Sequence, residues 1–304
     1  EHRRLLLHVA WGLGAIVFVS IGWSAMKPWD PRGPVSLLTH VNPSMMILEV
    51  LALAAATSAV ATVLAGQDHP DIGVFAVGIG LTLASFKGGN MTQLLLETDG
   101  DPSLSLWLAA EGMFWFSAIA LAMVTSAIVT RWCGSGREAG ADGSSGLNPL
   151  ASMSAPAIPI LGPLFFGGSP QPSARRMGVK HMALTALLAL VLIRILGVGA
   201  TDRTIHHGQA CFSVAAGLYL AARRAHLYFP VRSALWSCAA VPLVCLVGYA
   251  FAWVMSTGSE PETTLASIPA STFLRALPIT YIATGTCAAL FAHWRSTEEH
   301  PASA

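Results

Sequence analysis

The stretch Ile72-Gly-Val-Phe-Ala-Val-Gly-Ile-Gly-Leu-Thr-Leu-Ala-Ser-Phe-Lys-Gly-Gly-Asn-Met-Thr-Gln-Leu-Leu-Leu-Glu97 decides the fold. It is an apolar run of membrane-span length that holds one lysine, Lys87, followed by the pair Gly88-Gly89. An acidic turn, Glu97-Thr-Asp-Gly-Asp-Pro102, leads into a second apolar run that ends near Trp132. The two runs read as a helical hairpin over about 72–132. Counted outward from the turn, Lys87 and Glu111 lie at nearly the same depth. A charge at mid-membrane costs at least about 2.5–3.5 kcal/mol on insertion scales. Matching depth on antiparallel helices therefore predicts that these two charges pair.

The rest of the chain repeats the pattern. Hydrophobic residues make up 54% of it and charged residues 11%, against about a quarter charged in soluble domains. Apolar stretches near 20 residues, bounded by charges, Pro or Gly, fall at about 5–25, 44–66, 72–96, 104–132, 181–199, 208–224, 233–256 and 271–294. The expected fold is all-α, a polytopic integral membrane bundle of about eight transmembrane helices. The sixth stretch is the shortest. Its alternative is an interfacial helix with Arg223, Arg224 and His226 at the polar end. The first run, Leu5 to Trp23, follows His2-Arg3-Arg4 like a signal peptide. It lacks a small-x-small cleavage site before Lys27-Pro28 and reads as a retained helix.

Basic residues set the orientation. With the N-terminus cytoplasmic, inside segments hold Arg3, Arg4, Arg131, Arg137, Arg175, Arg176, Lys180, Arg223, Arg224, Arg232 and Arg295, and outside segments only Lys27, Arg32 and Arg203. Outer loops collect Glu97, Asp99, Asp101, Asp202, Glu260 and Glu262. Both termini are thus expected on the cytoplasmic side of an inner membrane crossed many times. The organisation divides into a four-helix N-terminal membrane half over 1–132, a cytoplasmic Gly/Ser/Pro-rich and partly interfacial loop over 133–180, a four-helix C-terminal half over 181–295, and a polar tail over 296–304. Within the loop, Pro156, Pro159 and Pro163 forbid a regular helix.

Several residue classes receive ordinary structural readings. Trp11, Trp23, Trp29, Trp107, Trp132, Trp236, Trp253 and Trp294 sit near span ends and read as interfacial anchors. Cys133, Cys211, Cys238, Cys245 and Cys287 form no CxxC, and their odd count argues against a disulfide framework. A net charge of +1 without a basic run excludes a nucleic-acid partner. A weak echo between Pro43–Glu49 and Pro269–Arg275 is the only internal repeat, and proline in a first helical turn accounts for it.

The candidate site is a layer of ionisable residues. Glu49, Lys87, Glu111, Arg194 and Arg275 all fall in the outer third of the spans and are expected to face one another. Asn90 joins them, because paired glycines weaken the helix and the backbone so exposed must find partners inside protein or around a cavity. Ser85–Gln93 is therefore the most site-like stretch. The competing reading has Arg194 and Arg275 reaching headgroups while Glu49 and Glu111 neutralise Lys87 and one arginine and so lock helices together.

Ten histidines raise a haem or metal possibility. His8, His181, His226 and His293 lie at inner span ends; His40, His206 and His207 lie near the outer face and are weak metal candidates. No HxxxH, HExxH or Cys/His cluster of metal type occurs, so no cofactor is strongly implied. No GxSxG, P-loop or GxGxxG marks an enzyme. Three functions follow in order. The first is a non-catalytic structural or accessory subunit of a larger membrane complex, with the lipid bilayer and other membrane subunits as partners. The second is a transporter or channel for a small solute, with an anion as one option, that uses a broken third helix. The third is a haem- or metal-binding membrane protein.

Overall fold

The computed structural model describes residues 2–30, 32–66, 69, 71–98, 103–138, 172–197, 206–257 and 272–299. Asp99 and Asp101 of the acidic turn, Asp202 and Arg203, Glu260 and Glu262, and the apolar part of the long loop lie outside these residues. Among the described residues the chain is helical. Its helices are α1 (His2–Gly14), α2 (Trp23–Met26), α3 (Pro43–Ala65), α4 (Asp71–Lys87), α5 (Met91–Glu97), α6 (Leu104–Glu138), α7 (Pro172–Leu196), α8 (His207–Tyr228), α9 (Leu235–Thr257) and α10 (Pro278–Glu299). A π-helical turn, Ala15–Ile21, joins α1 to α2, and a 3₁₀ turn, Thr272–Arg275, precedes α10.

Among the described residues, four helices are long and apolar enough to cross a membrane: Pro43–Ala65, Leu104–Cys133, Ser173–Leu196 and Leu235–Met255. The others depart for identifiable reasons. The apolar part of the first rod, Leu5–Ile21, is shorter. Helix α4 has 17 residues because it stops before Gly88-Gly89. Helix α10 is buried on nearly every side from Pro278 to Leu290. It meets protein rather than lipid, so its surface holds Thr280, Thr284, Thr286 and glycine without exposing them to hydrocarbon.

Side-chain contacts sort the helix ends into two groups. At one end, Lys87 of α4 reaches Val19 in the π turn, Glu111 of α6 meets Ser36 ahead of α3, Ser85 of α4 meets His207 of α8, and Tyr249 of α9 donates to the Ala276 carbonyl just before α10. At the other end, His181 of α7 meets Phe229 after α8 and Ser237 of α9, and Trp294 of α10 donates to Asp71 of α4. These are called below the Asn90 end and the His226 end.

Small residues set the closest crossings. A Cβ on Gly14 would strike the Ala76 carbonyl, so α1 lies directly on α4 there. Ser58 donates to the Ala122 carbonyl at 2.7 Å, and Thr62 to Ser126 Oγ at 2.9 Å, which fastens α3 to α6. Such small-residue contacts and interhelical hydroxyl bonds hold helices together where no hydrophobic force separates helix from lipid.

Two expectations are corrected, and a third element is longer than its apolar stretch. The eighth apolar stretch begins its α-helix at Pro278, not near 271; proline is favoured at a helix start and disfavours helical backbone in the residue before it. Trp294 is buried, with its indole bonded to Asp71. The sixth stretch is a 22-residue helix packed on α7 and α10.

Candidate functional site

The helix break at the Asn90 end is built from backbone chemistry. Helix α4 stops at Lys87 and α5 restarts at Met91. Asn90 caps the restart: its side-chain oxygen accepts from the Thr92 and Gln93 amides, and Gln93 Oε1 accepts from the Asn90 amide at 2.7 Å. This reciprocal pairing satisfies orphan donors of the new helix. Gly89 donates to the Gly33 carbonyl at 2.7 Å and bridges to Pro34. A Cβ on Gly89 would overlap the Arg32 carbonyl and Gln93 Oε1. Only glycine lets the two non-helical segments come this close.

The second segment, Gly33–Ser36, is buried although it belongs to no helix. Ser36 Oγ donates to Glu111 Oε2 at 2.6 Å, and Trp115 Nε1 donates to Glu111 Oε1 at 2.8 Å. The Leu37 backbone also bonds this carboxylate. Glu111 is 3% exposed. Its partners are dipolar donors from a loop and from its own helix, and no ion pair to it occurs among the described residues.

The expected layer of facing charges is therefore not what the side chains form. Lys87 is exposed; its Nζ donates to the Val19 carbonyl at 2.8 Å and stands 4.5 Å from the Trp23 ring centre. Depth counting gives height but not direction. Ala84 and Ser85 face the core, so Phe86 and Lys87 turn outward while Glu111 points inward. Glu49 on α3 and Arg194 on α7 are exposed, and neither has a hydrogen bond or ion pair among the described residues. Arg275 lies in the 3₁₀ turn, half-buried, with Nη1 on the Gly197 carbonyl. Outside the bundle, Glu97 has its carboxyl pushed above the ordinary range, first by partial burial and then by nearby Asp30.

At the opposite end, three histidines converge. His181, His226 and His293 come from α7, α8 and α10 and are 0%, 3% and 7% exposed. Ring centres are 6.0 Å apart for His181–His226 and 5.9 Å for His226–His293, both edge to face. His181 Nδ1 lies 3.0 Å from the Phe229 carbonyl and Nε2 lies 2.8 Å from Ser237 Oγ. The sequence places these rings at one depth and gives no sign that they meet. Nor does it single out Ser36 or Trp115; the one signal is the apolar Pro34-Val-Ser-Leu-Leu38 inside a loop.

The weak metal candidates do not assemble. His40 Nδ1 accepts from the Asn42 amide, His206 is exposed, and His207 stacks on Phe86 with ring centres 4.5 Å apart. Among the described residues no group of three or more His, Cys, Asp or Glu is arranged to hold a metal ion. Comparison with protein-family models, with curated proteins and with solved structures yields no match.

Proposed function

We propose that the chain is a multi-pass inner-membrane protein that crosses the bilayer eight times, with both ends cytoplasmic, and serves as a non-catalytic subunit of a larger membrane assembly. The observation that carries this reading is Glu49. It stands on the outward face of α3 among exposed Met45, Leu48, Val60 and Val63. It lies six residues past Pro43, about 9 Å along the axis at 1.5 Å per residue. A glutamate has too short a stem to reach headgroups from there as lysine and arginine do. A carboxylate so placed, with no donor among the described residues, is served by one from another polypeptide. Ala52 and Ala56 share its face and admit a close helix. The occupant is a transmembrane helix of another polypeptide that brings an arginine or lysine to the depth of Glu49. The alternating helix directions and the basic residues gathered toward the His226 end support eight crossings with that end inside.

A photo-crosslinking residue at Ala52, used in native membranes, tests this reading. A discrete protein adduct that Glu49→Leu abolishes is the expected result. Adducts to lipid alone would overturn it.

A transporter is the second reading, favoured by the broken α4–α5 rod packed against non-helical Gly33–Ser36. Irregular backbone at membrane depth is tolerated inside protein or beside a water-filled cavity, and interrupted helices mark many transporter sites. Ser36→Cys in proteoliposomes should then react with a membrane-impermeant maleimide. An unreactive thiol argues for a sealed corner.

A further inference from the structure

We infer that His181, His226 and His293 together form a binding site for one excess proton, loaded from the aqueous phase at the His226 end of the bundle. Three imidazoles from three separate helices meet where a packed bundle would be served by leucine. Imidazole is the side chain whose unperturbed charge change falls near neutral pH. The edge-to-face geometry sets the positive edge of one ring against the face of the next. His226 is the middle ring, so a positive charge on it lies about 6 Å from the centre of a ring on either side.

The bonds of His181 define its starting state. The Phe229 carbonyl can only accept, so Nδ1 carries the hydrogen. Nε2 then holds a lone pair, and the Ser237 hydroxyl donates to it. When Nε2 gains a proton, the Ser237 oxygen accepts instead, so the contact survives in both states. Phe229 follows the last residue of α8, and its amide donates to the Ala225 carbonyl. His181 therefore sits at the negative end of the α8 dipole, which favours a cation there. Burial decreases along the row from His181 to His293, which makes His293 the entry. The step is a protonation: hydronium gives its proton to an imidazole lone pair and becomes water, with no electron transferred.

The neighbouring charges come from every packed element. On α7, Arg175 and Arg176 are exposed and Lys180 lies 5.8 Å from the Phe229 ring centre; on α6, which packs on α9 and α10, Arg131 is exposed. On α8, Arg223 pairs with Glu299 of α10 at 2.6 Å, and Arg224 donates to Tyr228. On α10, Arg295 pairs with Glu298 and Glu299. Arg232 precedes α9, which presents Ser237 and Cys238. From α4, Asp71 accepts from Trp294 at 3.2 Å, one residue from His293. The arginine–glutamate pairs largely cancel, and the Asp71 carboxylate is held by the Trp294 indole.

The test uses the full chain, labelled with ¹⁵N-histidine and reconstituted in phosphatidylcholine vesicles, with ring nitrogen spectra recorded from about pH 5 to 9 around the free imidazole value. The three buried rings, assigned by single substitutions, should take up one proton as a unit. His226→Gln, with folding checked by tryptophan fluorescence, should move the titration of the other two by a pH unit or more, a tenfold change in proton affinity. Three rings that remain neutral throughout overturn the inference. So do His181 and His293 signals that titrate at unchanged pH in H226Q. Where H226Q does not fold, the titration of the unsubstituted row decides alone.

Discussion

Glu111 gives the sharpest test of how this bundle accommodates a buried acid. If dipolar donors satisfy the carboxylate, its charge is dispensable and its acceptor atoms are not. Glu111→Gln keeps a carbonyl oxygen for Trp115 Nε1, and its amide can donate to a rotated Ser36 hydroxyl. The exchange trades charge-assisted bonds for neutral ones, a loss of about 1 kcal/mol. Glu111→Leu strands three donors, the Ser36 hydroxyl, the Trp115 indole and the Leu37 amide, at about 1–3 kcal/mol each. Burying leucine returns about 1.5–3 kcal/mol, so the net loss is about 1.5–6 kcal/mol, and the Gly33–Ser36 segment loses its anchor. Adding Trp115→Phe to E111L removes one stranded donor and should recover part of the loss, a coupling that a double-mutant cycle reads directly. Melting in detergent followed by intrinsic fluorescence should show E111Q within a degree or two of the parent and E111L several degrees lower, at about 2–4 °C per kcal/mol. Equal losses in E111Q and E111L would mean that the negative charge itself is required, and the account of Glu111 by neutral donors would fail.

Other consequences are open to measurement. Gly89→Ala forces a Cβ into the Arg32 carbonyl and Gln93 Oε1; overpacking against backbone costs about 1–3 kcal/mol, and limited proteolysis should find new cleavage between Lys27 and Asn42. Asn90→Ala removes the capping box and should lower stability by about 0.5–2 kcal/mol, whereas Asn90→Ser should retain most of it; equal losses would refute the cap. Glu97 has a native value above its unfolded one, from burial first and then Asp30. The folded chain therefore holds that proton more tightly, a contribution complete below the unfolded value and lost as pH rises through the native one. Melting between about pH 4 and 7, bracketing a carboxyl titration, should show a smaller acid-side gain in Glu97→Gln than in the parent.

Much of the architecture was readable from the chain because lipid imposes a simple rule on sequence: long apolar runs become helices. The interruption at Gly88-Gly89-Asn90 was legible for a local reason, poor helix formers followed by a strong cap. The partners of Lys87 were not. Its height above the turn follows from counting, but its direction around α4 depends on how that helix is rotated against its neighbours. The same gap separated the histidines, known to share a height yet not known to touch. The insertion of Gly33–Ser36 was hidden by its position between helices, where an apolar Pro34–Leu38 segment reads as an ordinary loop. Glu49 and Arg194 show the converse: both were expected to look inward, and the outward faces of α3 and α7 carry them instead.

Helix α10 follows in the chain every neighbour it packs against, α4, α6, α8 and α9, and it offers hydrocarbon almost no surface of its own. During synthesis the slot it fills must stand open, lined by the Thr82 hydroxyl and Cys211 thiol that later meet Thr284 and by the Phe75 carbonyl that later meets Cys287, until the last of these turns leaves the ribosome. Polar groups facing such a slot lack these partners until α10 arrives, so the last helix completes the interior rather than merely adding to it.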